Sequence, residues 1–436
     1  MRDFAVSDSA EVQAQLDRLA ALSLPQGRFG LETIRALLAR LGDPQKAIPP
    51  AFHVAGTNGK GSTCAYLLAM LEAQGLRVHA ATKPHLVRYN ERIRIAGRLI
   101  ADDMLAALLR EVLDAGEDLG PSFFEVTTAA LFLAFAREAA DACVIEVGLG
   151  GRFDATNVLE SPAVCGIATL GMDHEAFLLR PEQGTPADPL ARIAFEKASI
   201  AKPGAPLVTQ CYPPVAAAEV RRMAEAHGAV LAMRGTHWRV ETDGGALRYR
   251  DTAGELALPL PALAGAHQAD NAALAVAMLR HQDCVTVSPE AMAEGIRAAR
   301  WPARLQLLGE GPLTVLAPGR DVWLDGGHNP DAGEAIARFM GQRAPVHLIL
   351  AMLANKDAGA ILRPLAGHVL SVTALPVPGH ESHGPEAFAP FATLPIRAAP
   401  DMKHALSQLA PDGDVLIAGS LYLAGEVLRL NREFPD

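Results

Sequence analysis

Residues 53–63 read HVAGTNGKGST and contain the parts of a phosphate site. Gly56 and Gly59 let a backbone curl toward anionic oxygens, and Lys60 adds a mobile positive charge. Thr57, Asn58 and Gly61 complete the loop, while Ser62 and Thr63 offer hydroxyls where a helix should begin. The spelling departs from the common G-x-x-x-x-G-K-[ST] pattern. Val54 stands where the first glycine belongs, and Gly61 follows the lysine where a hydroxyl belongs. The plain alternative is a strand–helix turn capped by Ser or Thr. A lysine between glycines, directly after an apolar run, favours phosphate.

Four further constellations carry chemistry. Glu146 interrupts the apolar run ACVIEVGL and is followed by G-L-G-G. A carboxylate buried there needs a cation, a metal or a proton, and a structural ion pair is the bland reading. Asp173 and His174 follow the run AVCGIAT, at the end of a strand where open α/β sheets bind ligands. Glu196 and Lys197 sit on an expected helix, where a solvated charged face is the common outcome. In the second half, ARL (303–305) carries Arg304, and DGGHNPDA (325–332) places Asp325 at the end of an apolar strand with His328 and Asn329 behind it. Asn329 before Pro330 also fits a plain helix cap.

The elements that must hold these residues alternate. Helical periodicity covers 9–22 and 31–41, a strand 51–55, a helix 60–74 and a strand 77–82. This strand–loop–helix–strand unit is the context a phosphate loop requires. Two helices are expected over 101–140, strands at 142–149 and 163–169, a helix at 190–201, then strand PLVTQ and helix VAAAEVRRMAEAHG. The alternation argues for an α/β fold with a mostly parallel sheet covered on both faces. Between 230 and 262 three short runs separated by turn signals read as a small antiparallel excursion, and helices follow at 267–281 and 288–300. A second, smaller Rossmann-like α/β cycle has strands near 321–325, 346–352, 369–375 and 414–419. The expected domains are 1–299, binding ATP, and 300–436, with the Trp301-Pro302 step at the boundary. The insertion RPEQGTPADP (180–189) reads as a surface loop.

Composition narrows the class. The 436 residues are half apolar and carry a formal net charge of −10, which argues against a nucleic-acid partner. The five cysteines form no C-x-x-C pair, so reduced thiols in a cytoplasmic protein are the expectation. No apolar run approaches the roughly 20 residues of a membrane span, and the N-terminus has no signal-peptide core.

GTNGKGS (56–62), PHLVRYNERI (84–93), SFFEVTTAALFLAF (122–135), EVGLGGRFDATN (146–157), the Asp173-His174 step, EKASI (196–200), HQADNAALA (267–275), PARLQ (302–306), DGGHNPDA (325–332) and GSLYLAGEV (419–427) occur in one order. Together they resemble the folylpolyglutamate synthase family in its bacterial form, which is also dihydrofolate synthase, within the Mur-ligase-like ATP-dependent amide ligases. The resemblance implies that ATP converts a carboxylate of dihydropteroate or a reduced folate to an acyl phosphate, which the amine of L-glutamate attacks. It implies two Mg²⁺ sites, one using Glu146 and the other His174, with Lys197 carbamylated by CO₂ into an oxygen ligand. Gln268 and Asn271 then match residues that approach ATP from the first domain, and Arg304 and Asp325 match ATP contacts of the second. Arg88, Arg92, Phe124 and Asp154 fall where the family holds the pteroate, and His328 and Ser420 are candidates for glutamate. A monomer is the family expectation.

One position departs. The family commonly has serine before Pro-His-Leu, where its hydroxyl helps ligate Mg²⁺; this chain has Lys83. An ammonium has no lone pair to give, so Thr82 or water takes over, or Lys83 meets phosphate itself. The segment around Glu175 and 180–189 is also longer than the family form. Three other readings compete: a cell-wall Mur-type ligase, which should carry a uridine-binding domain where only about fifty residues precede the loop; a P-loop ATPase or kinase without ligation; and a non-catalytic nucleotide scaffold, against which Lys60, Glu146 and His174 argue.

Overall fold

The computed structural model describes residues 6–22 and 30–435. The N-terminal stretch read as having no signal-peptide core includes residues 1–5, which lie outside the described residues. By compactness the chain divides into two units. One runs to Ala262 and adds Ala269–Ala299; the other joins Leu263–Gln268 to the chain from Arg300 onward.

The first unit carries strands β1 (Ala51–Ala55), β2 (Val78–Ala81), β3 (Ile93–Ile95), β4 (Arg98–Leu99), β5 (Ala142–Glu146), β6 (Val164–Ile167), β7 (Pro206–Thr209) and β8 (Val230–Met233). They form one sheet in the order β4-β3-β2-β5-β1-β6-β7-β8. All neighbours are parallel except β2–β3 and β3–β4. The central strands β1, β5 and β6 are buried at every residue, as strands covered on both faces must be, and their runs are accordingly apolar. A separate antiparallel sheet holds β9 (Arg239–Asp243), β10 (Ala246–Asp251) and β11 (Gly254–Pro259), the excursion expected from the turn signals.

Helices α1 (Ala10–Ala21), α2 (Glu32–Arg40), α3 (Lys60–Ala73), α4 (Asp102–Gly116), α5 (Phe123–Arg137), α6 (Glu175–Leu178), α7 (Pro189–Ala198), α8 (Pro214–Ala226), α9 (His267–Arg280) and α10 (Pro289–Ala298) follow in chain order. Their starts are written locally. Ser122 accepts from the Glu125 N–H while Glu125 accepts from the Ser122 N–H, a reciprocal cap for α5. Asp188 accepts from Ala191 N at 2.9 Å with Pro189 in the first turn, which begins α7. One apolar cluster packs α1, α2, α4 and α5 against Ala51, Ala81, Cys143 and Ile145. Another packs α7 and α8 against Ala55, Cys165, Ile167 and Leu207. No helix among the described residues is long and apolar enough to cross a membrane.

The second unit builds a six-stranded sheet in the order β12-β13-β17-β14-β15-β16 from β12 (Gln306–Leu307), β13 (Val322–Leu324), β14 (Val346–Leu350), β15 (Val369–Ala374), β16 (Ile396–Ala398) and β17 (Val415–Ala418). Only β12–β13 is antiparallel. Helix α11 (Pro330–Met340) packs Ile336 and Met340 into its core with Leu348, Leu350 and Leu416.

Several short elements differ from the sequence expectation. The strand expected over 142–149 ends at Glu146; Val147 N still bonds Val54 O, and the glycines then turn the chain away. The β3–β4 hairpin has too few residues, with Arg94 and Arg98 among them, to give a period. Val230–Met233 is a parallel edge strand of the main sheet rather than part of the antiparallel excursion.

Helices α3 and α10 approach so closely that a Cβ on Gly295 would lie 2.5 Å from the backbone N and Cα of Met70. Gly295→Ala should therefore destabilise the protein by about 1–3 kcal/mol, read as a lower urea midpoint. An unchanged midpoint would show that the two helices do not pack this way.

Candidate active site

In the first unit β1 lies between β5 and β6, so the loops leaving three adjacent parallel strands meet at one edge. The loop after β1 starts α3 at Gly59, whose φ of 83° is left-handed and which gives no side-chain cap. A helix start without a side-chain cap is a feature that suits an anion. Thr57 ties the loop to the segment after β6: its N–H donates to Thr169 O at 2.7 Å, and its hydroxyl to Gly171 O at 2.9 Å. The Thr169 hydroxyl returns a bond to Asn58 O at 2.9 Å. Lys60 Nζ donates to Gly56 O at 2.9 Å and Thr57 O at 3.1 Å, so the ammonium is folded over its own loop. Asn271, from α9, closes the other side, since a Cβ on Gly59 would meet its Oδ1 at 2.4 Å. Ser62 is buried at the start of α3, and the Thr63 hydroxyl is fully enclosed.

Glu146 ends β5 beside Val54 and is buried. Its Oε2 accepts the backbone N–H of Lys83 at 3.0 Å. The Lys83 side chain is buried as well, with its ammonium 4.0 Å from Asp154 Oδ1. Asp154 also accepts from Gly148 N at 2.9 Å, Leu149 N at 3.0 Å, Thr156 N at 3.0 Å and the Thr156 hydroxyl at 2.5 Å. Burial would raise its pKa, but the Lys83 charge and these donors outweigh it and hold the carboxyl below its ordinary value. The Lys83 departure thus has a local partner. Asp154, which the resemblance places against the pteroate, organises the turn after β5. The Thr82 hydroxyl donates to Glu91 O at 3.2 Å.

Glu196 and Lys197 are not a solvated face; both are buried on α7. The Glu196 carboxylate is held by Arg152 and Arg192, each at 3.1 Å. For Lys197, burial first and then the charge of Lys60 lower the pKa to about 7, partly opposed by Asp173, Glu196 and Asp154. Lys60, Asp173 and Lys197 therefore share one electrostatic environment. His174 takes a left-handed φ of 53° at the start of α6, and its Nε2 lies 3.7 Å from Asp173 Oδ2.

The donor set suits a hard divalent cation that a nucleotide completes. Mg²⁺ is held by one or two carboxylates plus phosphates and water, not by an all-protein cage, and Glu146 is a carboxylate already fixed by the Lys83 N–H. Among the described residues there is no ready-made group of three or more His, Cys, Asp or Glu for a metal.

The residues between β2 and β3 form a rigid strap. Glu91 accepts the N–H groups of Leu86, Val87 and Arg88 at 2.7, 2.9 and 2.6 Å. Arg88 is exposed and pairs with Asp102 at 3.4 Å. Arg92 is only 2 % exposed. Its Nε donates to His85 Nδ1 at 2.9 Å, and its guanidinium lies 5.3 Å from the Tyr89 ring centroid and 5.5 Å from that of Phe123. Burial, then Arg92, keep the His85 pKa well below its ordinary value, which leaves the ring neutral to accept. Phe124 is exposed, with its ring edge-on to Phe123. Sequence reasoning missed Glu91, Arg152 and Arg192. A charged residue inside a quoted motif was the available signal for the first two.

In the second unit, Asp325 follows β13 and is buried; it accepts from Leu305 N at 2.8 Å and Gly327 N at 2.6 Å. Arg304 lies between Ala303 and Leu305, whose φ values of 56° and 44° are both left-handed. Such strain persists only where surroundings impose it; here Asp325 and the Ala303 N–H bond to Gln306 Oε1 do so. His328 Nδ1 donates to Gly326 O at 3.0 Å. Asn329 caps α11 through Ala332 N at 2.9 Å, so its plain reading holds. Gln268 is buried next to His267 and groups with this unit. Ser420 is buried and caps the helix Leu421–Asn431 through Tyr422 N.

No family model matches the chain. It is 33% identical over 431 residues to the dihydrofolate synthase/folylpolyglutamate synthase of Bacillus subtilis, covering 91% of this chain and 94% of that one. It is also 33% identical to the folylpolyglutamate synthase of Lacticaseibacillus casei, covering 90% and 92%. Among solved structures, Escherichia coli FolC in complex with DHPP and ADP superposes with a TM-score of 0.84 at 30% identity, covering 96% of this chain and 97% of that one. A bifunctional folylpolyglutamate synthase/dihydrofolate synthase with Mn, AMPPNP and L-glutamate bound gives 0.82 at 30% identity, with the same coverage.

Lys83→Met removes the cation beside a buried carboxylate and should destabilise the protein by about 3–5 kcal/mol in urea unfolding. Combining it with Asp154→Asn should cost less than the sum of the two changes. Strict additivity would show that the two side chains do not interact.

Proposed function

The chain belongs to the dihydrofolate synthase/folylpolyglutamate synthase family, and from that premise we infer that it is an ATP-dependent ligase joining L-glutamate to dihydropteroate and to reduced folates. The carrying observation is the uncapped start of α3, with Lys60 folded over the loop, in one electrostatic environment with Asp173 and buried Lys197. A carboxylate is a poor electrophile for an amine, and ATP and carboxylate are both anions. Activation therefore needs concentrated positive charge in a site shielded from water.

In this reading the glycine loop at the start of α3 takes the phosphates, and Lys60 leaves Gly56 O and Thr57 O to follow the transferring phosphoryl group. The acceptor carboxylate oxygen bonds to the γ-phosphorus as ADP departs. The glutamate amine then bonds to the acyl carbon, loses its proton, and phosphate leaves. Mg²⁺ bound by Glu146, and at a second site by His174 and Lys197, would neutralise phosphate charge. The Lys83 N–H fixes Glu146 for that task. Asn271 supports the nucleotide from α9, and Gln268, Arg304 and Asp325 are its further proposed contacts. Arg88, Arg92 and Phe124 border the pteroate, with Asp154 shaping the adjacent turn, and His328 and Ser420 receive glutamate. The reading is of a monomeric, cytoplasmic, Mur-type ligase that acts on small molecules.

Lys197 serves as a metal ligand only after its amine attacks CO₂ and loses a proton, giving an anionic carbamate. That attack needs the neutral amine. A pKa lowered from the ordinary lysine value to about 7 makes the neutral form predominate above pH 7 and the inert ammonium below it. With ¹³C-bicarbonate, a carbamate resonance should be present at pH 8, fade below about pH 6, and be absent in Lys197→Arg. A resonance unaffected by that substitution would exclude Lys197.

Phosphate release should require both an acceptor and L-glutamate, with dihydropteroate and tetrahydrofolate each giving an amide product. Lys60→Ala should lower kcat by about 100-fold or more. Phosphate release indifferent to glutamate, without amide product, would return the chain to the ATPase reading.

A further inference from the structure

Two arginines beside Lys197 share carboxylates without using all their donors. Arg152 lies in the turn after β5, and its backbone N–H donates to Glu196 O at 2.8 Å. Arg192 lies one turn before Glu196 on α7. Both guanidinium groups reach Glu196 Oε1. Both also hold Glu182, from the polar loop 180–189: Arg152 through two N–H donors, and Arg192 through Nη2 at 3.2 Å. Arg192 also donates from Nε to Leu178 O at 2.9 Å. Arg192 is 5 % exposed, yet its Nη1 has no hydrogen-bond partner, and neither has the enclosed Nε of Arg152. Aromatic rings keep the forks in place: the Arg152 guanidinium lies 4.1 Å from the Phe153 centroid, and that of Arg192 lies 5.4 Å from the Phe195 centroid.

The two carboxylates differ in kind. Glu196 is buried and balances one of the two positive charges permanently. Glu182 balances the other, but its side chain is 46 % exposed and sits on a surface loop. An ion pair of that exposure contributes little to stability. A planar guanidinium fork would accept another carboxylate of the same shape equally well.

We propose that Arg152 and Arg192 form a subsite for the α-carboxylate of a γ-glutamyl group already on the acceptor, and that Glu182 occupies this subsite when no such group is bound. The inference rests on the ligase reading above. Each round of that reaction leaves one more α-carboxylate on the acceptor, near the carboxylate that reacts next, whereas dihydropteroate carries none. The subsite therefore favours lengthening over first addition, and Glu182 acts as a tethered competitor.

The test compares KM for dihydropteroate, tetrahydrofolate diglutamate and L-glutamate in the full chain and two variants. Glu182→Gln should lower the KM for the diglutamate by about fivefold and leave the other two unchanged. Arg152→Gln should raise the diglutamate KM by about tenfold, again sparing dihydropteroate, with a single cooperative urea transition confirming that it folds. Glu182→Gln stands alone as the test if Arg152→Gln does not fold. An unchanged ratio of diglutamate to dihydropteroate KM in Glu182→Gln would overturn the proposal, as would an effect on L-glutamate instead. If no acceptor yields an amide, the ligase reading falls with it; if dihydropteroate is ligated and the ratio does not move, only the subsite falls.

Discussion

Charge balance in a water-poor site is the constraint on which the rest of the first unit depends. Three strand ends, β1, β5 and β6, deliver an uncapped helix start, Glu146 and the Asp173-His174 step to one edge of the sheet. Left bare, such groups would be costly to bury. The protein handles them by local pairing. Lys83 faces Asp154, Glu196 faces two arginines, and Lys60 rests on two carbonyls of its own loop. Lys197 is pushed toward its neutral form by burial and by Lys60, which Asp173, Glu196 and Asp154 only partly oppose.

That pattern separates residues that shape the site from those that can meet a ligand. Asp154 has a cation and four N–H or O–H donors, so it is a fixed point of the turn after β5. Asp325 plays the corresponding part in the second unit, holding the backbone of left-handed Leu305, next to Arg304, and that of Gly327. Lys60, by contrast, is bonded only to carbonyls that a phosphate oxygen can replace. Glu146 is oriented by the backbone N–H of Lys83.

Much of this was legible in the sequence. The strand–loop–helix unit around Lys60, the carboxylate at the end of an apolar strand, and the two α/β cycles are all local patterns of period or turn chemistry. The ordered motifs then identified the family. What the sequence hid were pairings between distant segments. Lys83 looked like a lost metal ligand because its neighbours in the chain are Thr82 and Pro84, whereas its partner in space is Asp154. Glu196-Lys197 looked like a solvated face because a period of 3.6 does not say which side of α7 meets the sheet. Arg152 and Arg192 acquire meaning only when Glu182, on a surface loop, folds back to both. Short edge strands such as β3, β4 and β8 escaped because they carry too few residues to set a period.

The central claim is that ATP is used to turn the acceptor's carboxylate into an acyl phosphate. It is tested most directly with dihydropteroate carrying ¹⁸O in its carboxylate, incubated with ATP and L-glutamate. If the carboxylate oxygen becomes the bridge to phosphorus, one ¹⁸O must leave with the inorganic phosphate when the amine displaces it. Labelled phosphate in step with amide formation is the predicted result. Amide formed alongside wholly unlabelled phosphate would contradict the account.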